Sequence, residues 1–270
     1  MQVSNAFGQV QGAMSYFVDA YTTIAQWCSV VRRLDGFNRH VGEALDLKSD
    51  LMIDNASNIT VGIENVDVFL PNKNKDILIK DCTIDLMKYQ SLLIMGASGV
   101  GKSTLLRTLA GLWPYAKGNV YLPKEEEFLF LPQRPYLPLG SLRQAISYPV
   151  VEEVISEKYS DEEIKEILIA CKLENLADKL NIVDDWSRIL SLGEQQRIAF
   201  VRILLYRPEF VFLDEATSAL DEDLEGNLYD MLKIHLPNTK IISIAHRSSL
   251  IAKHQAILRL KEKGCWEIHE

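Results

Sequence analysis

Apolar positions fall into several distinct rhythms along the chain, and each rhythm predicts an element. Phe7, Val10, Met14, Phe17, Tyr21, Ile24, Cys28 and Val31 recur at alternating spacings of three and four, which places them on one stripe of a helix. VGIENVDVFL, residues 61–70, alternates apolar and polar positions. It predicts an antiparallel β region beginning near Ile59. SLLIM (91–95), FVFL (210–213) and IISIA (241–245) are short unbroken apolar runs, suited to parallel strands covered on both faces. A further short strand is expected from Glu127 to Leu131. IAFVRILL (198–205) reads as a helix ending near Pro208. DEEIKEILIACKL (161–173) reads as an acidic amphipathic helix within a helical region from about Leu139 to Leu192. Ser49 to Asn58 (SDLMIDNASN) reads as a linker between the first helix and the domain that follows.

Charge changes the picture at the N-terminus. From Met1 to Val31 the only charged residue is Asp19, and Arg32–Arg33 follow at once. Gln2, Gln9, Gln11, Ser15, Thr22 and Gln26 make this segment too polar for lipid on all sides, so two readings stand: packing against other helices near a membrane, or a core helix of this same domain. The 270-residue chain carries 29 Lys and Arg against 37 Asp and Glu, a formal charge of -8. An acidic chain is a poor candidate for general nucleic-acid binding, and no nucleic-acid partner is expected. Part of that acidity is local: residues 152–166 hold seven carboxylates and two lysines, the pattern of a solvated helix face. The four cysteines form no CxxC pair, which argues against a disulfide framework or a zinc site. No basic n-region with a cleavage site opens the chain, and no run reaches the roughly 18 apolar residues of a spanning helix.

The candidate chemistry starts where SLLIM runs into GASGVGKST, residues 96–104. This is G-x-x-x-x-G-K-[ST] with a strand before it and a helix after it. Gly96, Gly99 and Gly101 let the backbone curl, so that N–H groups from Gly96, Ala97, Ser98, Gly99, Val100, Gly101, Lys102, Ser103 and Thr104 can surround anionic oxygens. Lys102 supplies a cation for the β- and γ-phosphates, and the Ser103 hydroxyl can ligate Mg²⁺. Asp214 and Glu215 end the FVFL strand, where parallel sheets place their ligands. Asp214 is placed to hold the metal shell, and Glu215 to orient or deprotonate an attacking water.

The ordered set GASGVGKST, LPQ, LSLGEQQR, FLDEATSALD and AHR resembles the ABC-type ATPase over about residues 59–270. The resemblance implies an α/β P-loop NTPase of ABC type. Such a fold has a mixed sheet core, an antiparallel β region and a helical subdomain, here preceded by an N-terminal helix. It implies ATP and Mg²⁺ as cofactors, and two domains paired head to tail with each ATP between one phosphate loop and the other domain's signature. On that pattern Gln133 contacts Mg²⁺ or water, Ser191 and Gly193 touch the partner's γ-phosphate, with Glu194 beside them, Asp221 lies in the loop after the second strand, and His246 contacts the γ-phosphate. LSLGE departs from the usual LSGGQ at Leu192 and Glu194. Glu194 either faces away from the triphosphate or pairs with Arg197. The residue expected to stack on adenine falls at Leu70, with Phe69 adjacent.

AFGQVQGAMSYFVDAYTTIAQW followed by VVRRLDGF resembles the end of the last membrane helix in fused permease–ATPase half-transporters. Within that class the nearest likeness is to the bacterial vitamin B12, bleomycin and antimicrobial-peptide type, related to the peroxisomal fatty-acyl subfamily. LPQRPYLPLGSLR and GLWPYAKG also suit that group. The implied organisation is a membrane-domain extension over residues 1–40, a linker over 41–58 and an ATP-binding domain over 59–270, as the C-terminal part of a longer transporter. A second ATPase domain, expected as a homodimer, and a membrane permease would be its partners, at the cytoplasmic face of a bacterial inner membrane. A soluble ABC ATPase of DNA repair or translation, and a nucleotide-sensing module, are the alternatives.

Overall fold

The computed structural model describes residues 2–45, 50–54, 61–72, 76–122, 124 and 127–270. The chain divides into two units, Met1–Lys48 and Ser49–Glu270. The first holds a single helix, α1 (Gln2–Leu45), in which no proline interrupts the backbone ladder. Of the stripe read from the sequence, Phe7, Val10, Met14, Tyr21, Ile24 and Val31 are exposed. No described helix, α1 included, is long and apolar enough to cross a membrane.

In the second unit the first sheet combines β1 (Asp50–Asp54), β2 (Gly62–Phe69), β3 (Ile77–Asp85) and β5 (Ala116–Tyr121) in the order β1-β5-β2-β3. β2 runs antiparallel to β3 and β5, as the alternation of residues 61–70 predicts, while β1 pairs parallel with β5. This corrects the expected linker. Residues 50–54 lie in register with 117–121, and Leu51, opposite Gly118, is buried in the same core as Val120. The rest of the expected linker is partly α1, through Leu45, and otherwise lies outside the described residues, as does Ile59.

The larger sheet contains β4 (Ser91–Gly96), β6 (Phe128–Leu131), β9 (Phe210–Asp214), β10 (Lys240–Ile244), β11 (Ala256–Leu260) and β12 (Trp266–His269), in the order β12-β11-β4-β10-β9-β6. Every neighbouring pair is parallel except β11 with β12. Side chains alternate between its faces. Leu92, Ile94, Phe210, Phe212, Ile242 and Ile244 join a core with the first sheet and α2 (Lys102–Leu109). Leu93, Val211, Leu213 and Ile241 join a second core under the helices. Both faces are covered, so these strands carry almost no polar positions.

The helical region follows β6. It comprises a small ribbon of β7 (Gly140–Ser141) with β8 (Val183–Asp184), and the helices α3 (Leu142–Ser147), α4 (Glu152–Lys158), α5 (Asp161–Ala170) and α6 (Trp186–Ile189). Ile164 and Leu168 bury one face of α5, while Asp161, Glu162, Glu163 and Glu166 stay exposed. The long helices α7 (Leu192–Tyr206) and α8 (Glu222–His235) flank β9 in the chain. α3, α5 and α7 each begin with a capping box, Ser141/Gln144, Ser160/Glu163 and Ser191/Glu194.

Candidate functional site

β4, β10 and β9 are adjacent and parallel, so the residues that follow them emerge on one edge of the sheet. The loop from Gly96 to Lys102 joins β4 to α2. At Gly96 the backbone passes so close to β11 that an added Cβ would stand 2.6 Å from the Leu260 carbonyl oxygen. Gly101, at the N-cap of α2, has φ 102°, a conformation that side chains disfavour. The glycines therefore fix the loop's shape as well as opening its backbone to a ligand.

Lys102 is the first residue of α2 and is largely buried. Its Nζ donates to the carbonyls of Gly96 at 3.0 Å and Ala97 at 2.9 Å. Burial lowers its pKa, and Glu215 and Asp214 oppose that shift. One residue on, Ser103 Oγ donates to Asp214 Oδ1 at 2.7 Å, and Arg107 reaches the other carboxylate oxygen at 3.6 Å. A hydroxyl and a carboxylate at the mouth of a phosphate loop are hard oxygen donors, the set that suits Mg²⁺ bound jointly with substrate phosphates.

Glu215 leaves β9 with φ 51°, left-handed for a residue with a side chain. Its N–H donates to the Ile244 carbonyl at 3.2 Å, and its Oε1 stands 2.8 Å from His246 Nε2. Gln133 follows β6, and its Nε2 donates to Ser218 Oγ at 3.4 Å. Asp221 caps α8 by accepting from the Leu224 N–H at 2.8 Å. Among the described residues the structure thus links Ser103 with Asp214, Glu215 with His246, and Gln133 with the turn after Glu215.

Ser191, Gly193 and Glu194 begin α7, and no described hydrogen bond joins them to the phosphate loop. Glu194 curls back onto its own helix start. It accepts from the Ser191 N–H at 2.9 Å, from Ser191 Oγ at 2.7 Å and from Asn175 at 3.2 Å. Burial pushes its pKa up, but these bonds together with the Arg197 charge hold it below the usual value. Arg197 bonds the carbonyls of Gly193 and Lys172 rather than the Glu194 carboxylate. Of the two alternatives for Glu194, the pair with Arg197 is therefore replaced by a capping box. Phe69 is half-buried and Leu70 exposed, and the Phe69 carbonyl accepts from the Trp113 indole at 3.2 Å.

Several polar residues near these groups received no role from the sequence. Gln196, fully buried on α7, bonds both the Gln133 carbonyl and the turn at Ser218–Ala219. Arg247 bonds Glu225 at 3.2 Å and the Leu220 carbonyl at 2.6 Å, and Glu225 also accepts from Thr217. LSLGEQQR and AHR contain Gln196 and Arg247, but their partners come from distant segments.

The strand–loop–helix unit with its buried lysine defines a P-loop nucleotide-binding domain. The family model for the ABC transporter matches residues 79–218, and the chain belongs to that family. A Haemophilus influenzae protein described as an uncharacterized ABC transporter ATP-binding protein is 49% identical over 71% of this chain and 31% of its own length. A Synechocystis protein of the same description is 37% identical over 99% of this chain and 41% of its own. ATP-binding cassette sub-family D member 1 of Drosophila melanogaster is 35% identical over 80% of this chain and 30% of its own. The chain thus spans well under half the length of these relatives. The solved structure of a bacterial Atm1-family ABC exporter with ATP bound shares the fold, with TM-score 0.64 at 23% identity over 78% of this chain and 39% of that one.

Proposed function

We propose that the chain is the ATP-hydrolysing domain that powers transport in an ABC transporter, working as a head-to-tail pair at the cytoplasmic face of a membrane. The observation that carries this reading is the gathering of Lys102, Ser103, Asp214, Glu215 and His246 on one sheet edge around a glycine-shaped anion loop. The backbone of residues 96–104 holds the phosphates of ATP, and Lys102 exchanges its two carbonyl partners for β- and γ-phosphate oxygens. Ser103 and Asp214 would hold Mg²⁺, with Gln133 as a further ligand, and the bound ion would neutralise charge on the phosphates. Glu215 takes a proton from a water whose oxygen bonds to the γ-phosphorus, while the bridging P–O bond breaks and its electron pair leaves with ADP. His246, beside Glu215, contacts the γ-phosphate once its Nε2 turns from the Glu215 carboxylate.

At the start of α7 Ser191 is exposed and Gly193 half-buried, which supports a second copy of the domain as the partner whose ATP they meet. Residues 1–40 belong on this reading to a membrane-domain helix, and the pairing of β1 with β5 supports an ATP-binding domain that starts upstream of Ile59. A bacterial inner membrane is the location we favour. The test is ATP turnover with Mg²⁺ measured against protein concentration. Specific activity that rises with concentration supports the paired site. Activity that is independent of concentration in a chain shown to be monomeric overturns it.

A further inference from the structure

Gln196 is buried in the first half of α7, yet its amide is spent on two other chain segments. Its Nε2 donates to the Gln133 carbonyl at 2.9 Å and to Ser218 Oγ at 3.2 Å. Its Oε1 accepts from the Ala219 N–H at 2.9 Å. Chemistry fixes this orientation, because a carbonyl can only accept and a backbone N–H can only donate. The same turn is pressed against α7 elsewhere: a Cβ on Gly193 would stand 3.3 Å from the Ala219 carbonyl oxygen. On the turn's far side Arg247 and Glu225 hold Leu220 and Thr217.

We infer that Gln196 is a positioning residue that makes the Gln133 loop and the Ser218–Ala219 turn move as one unit. A planar amide cannot follow one partner without dragging or losing the other, and a buried polar group that loses a partner is costly. A shift of Gln133 is therefore passed to the turn that follows Glu215, and the start of α7 moves with both. The inference rests on the reading of Gln133 and Glu215 as parts of a hydrolysis site, and it adds the element that keeps them in register.

The test uses the full chain with Mg²⁺ and ATP. Gln196→Glu keeps the size and the acceptor for Ala219 but removes the donor to Gln133. It should lower kcat about tenfold or more, while KM stays within about threefold, because the phosphate loop is untouched. Ser218→Ala removes an exposed hydroxyl that Gln196 and Gln133 both bond, and it should lower kcat about threefold. The double variant should be no slower than Gln196→Glu alone, since both remove one linkage. Turnover within twofold of wild type in folded Gln196→Glu, or multiplicative losses in the double variant, would overturn the inference. Should Gln196→Glu fail to fold, Ser218→Ala decides: a lowered kcat with unchanged KM supports the linkage, and an unchanged kcat sinks it. Lys102→Ala separates the two levels. If it abolishes turnover while Gln196→Glu does not, only the positioning role falls; if it leaves turnover intact, the hydrolysis assignment itself falls.

Discussion

Ser103 Oγ donates to Asp214 Oδ1 at 2.7 Å, joining the first turn of α2 to the last residue of β9 across 111 positions of chain. The bond holds side by side, at the mouth of the phosphate loop, the two oxygens proposed to bind the metal. Asp214 is buried, and Arg107 at 3.6 Å offsets its charge. Removing the hydroxyl should weaken the metal site without disturbing the loop. Ser103→Ala is expected to cut the gain in ATP affinity that Mg²⁺ confers by about tenfold, the worth of one hydrogen bond to a charged group. Fluorescent ATP titrated with and without Mg²⁺ checks this. An unaltered Mg²⁺ effect would count against the assignment.

Lys102 is held by two carbonyls of the loop it serves. Lys102→Ala should abolish turnover and weaken ATP binding, because the triphosphate loses its compensating cation. Equilibrium ATP binding and steady-state turnover test it together, and activity within twofold of wild type rejects the role.

Glu215 faces His246 at 2.8 Å, and the role proposed for it is on water rather than on nucleotide. Glu215→Gln should lower turnover by about 10²–10⁴, the usual cost of losing a general base. ATP affinity should change little, and size-exclusion chromatography with Mg²⁺ and ATP should show a dimer accumulating. Near-normal turnover would shift the base assignment to His246.

At the start of α7 the exposed Ser191 caps the helix, its hydroxyl accepting from the Glu194 N–H and donating to the Glu194 carboxylate. Ser191→Ala should cost about 0.5–2 kcal/mol of stability through loss of the cap. It should also lower turnover. Glu194→Gln keeps a side chain able to bond the Ser191 N–H, so its melting temperature should stay closer to wild type. Thermal melts of both variants decide the order, and equal stability in Ser191→Ala would contradict the capping geometry.

His254 supplies a pH prediction. Its Nδ1 donates to the Leu250 carbonyl at 2.8 Å, and its Nε2 meets Ser243 Oγ at 3.0 Å. Burial, with Lys233 adding to it against the Leu250 bond, lowers its pKa from 6.5 to about 4. The folded state thus prefers neutral imidazole. The associated stability is complete above pH 6.5 and is lost as pH falls toward 4. Between pH 7 and 4.5 the wild type should lose roughly 2–3 kcal/mol more than His254→Gln. Urea unfolding of both proteins across that range measures the difference, and parallel curves would refute it.

The phosphate loop and the Asp214 strand were legible because their signals are local: an unbroken apolar run, then glycines or carboxylates at a fixed offset. β1 was not. Only Leu51 among its five residues is buried, so no alternation marks a strand, and its partner β5 lies over sixty residues away. The sequence pattern S-x-x-E held the answer for Glu194, since a residue three positions back competes well with Arg197 when a helix start needs its N–H groups satisfied. Gln196 has no such clue. Its partners at Gln133 and Ala219 come from separate segments, and only the packed structure brings them to one amide.

The left-handed backbone at Glu215 has a consequence for how this domain fails. An ordinary residue there costs on the order of 1 kcal/mol, supplied by the surrounding turn through the Ile244 and Ser218 bonds. Loosening of that turn releases Glu215 to a relaxed conformation well before the sheet itself comes apart. On heating, ATP turnover should therefore fade below the melting temperature of the fold. Glycine at position 215 would make the domain harder to melt and unable to hydrolyse.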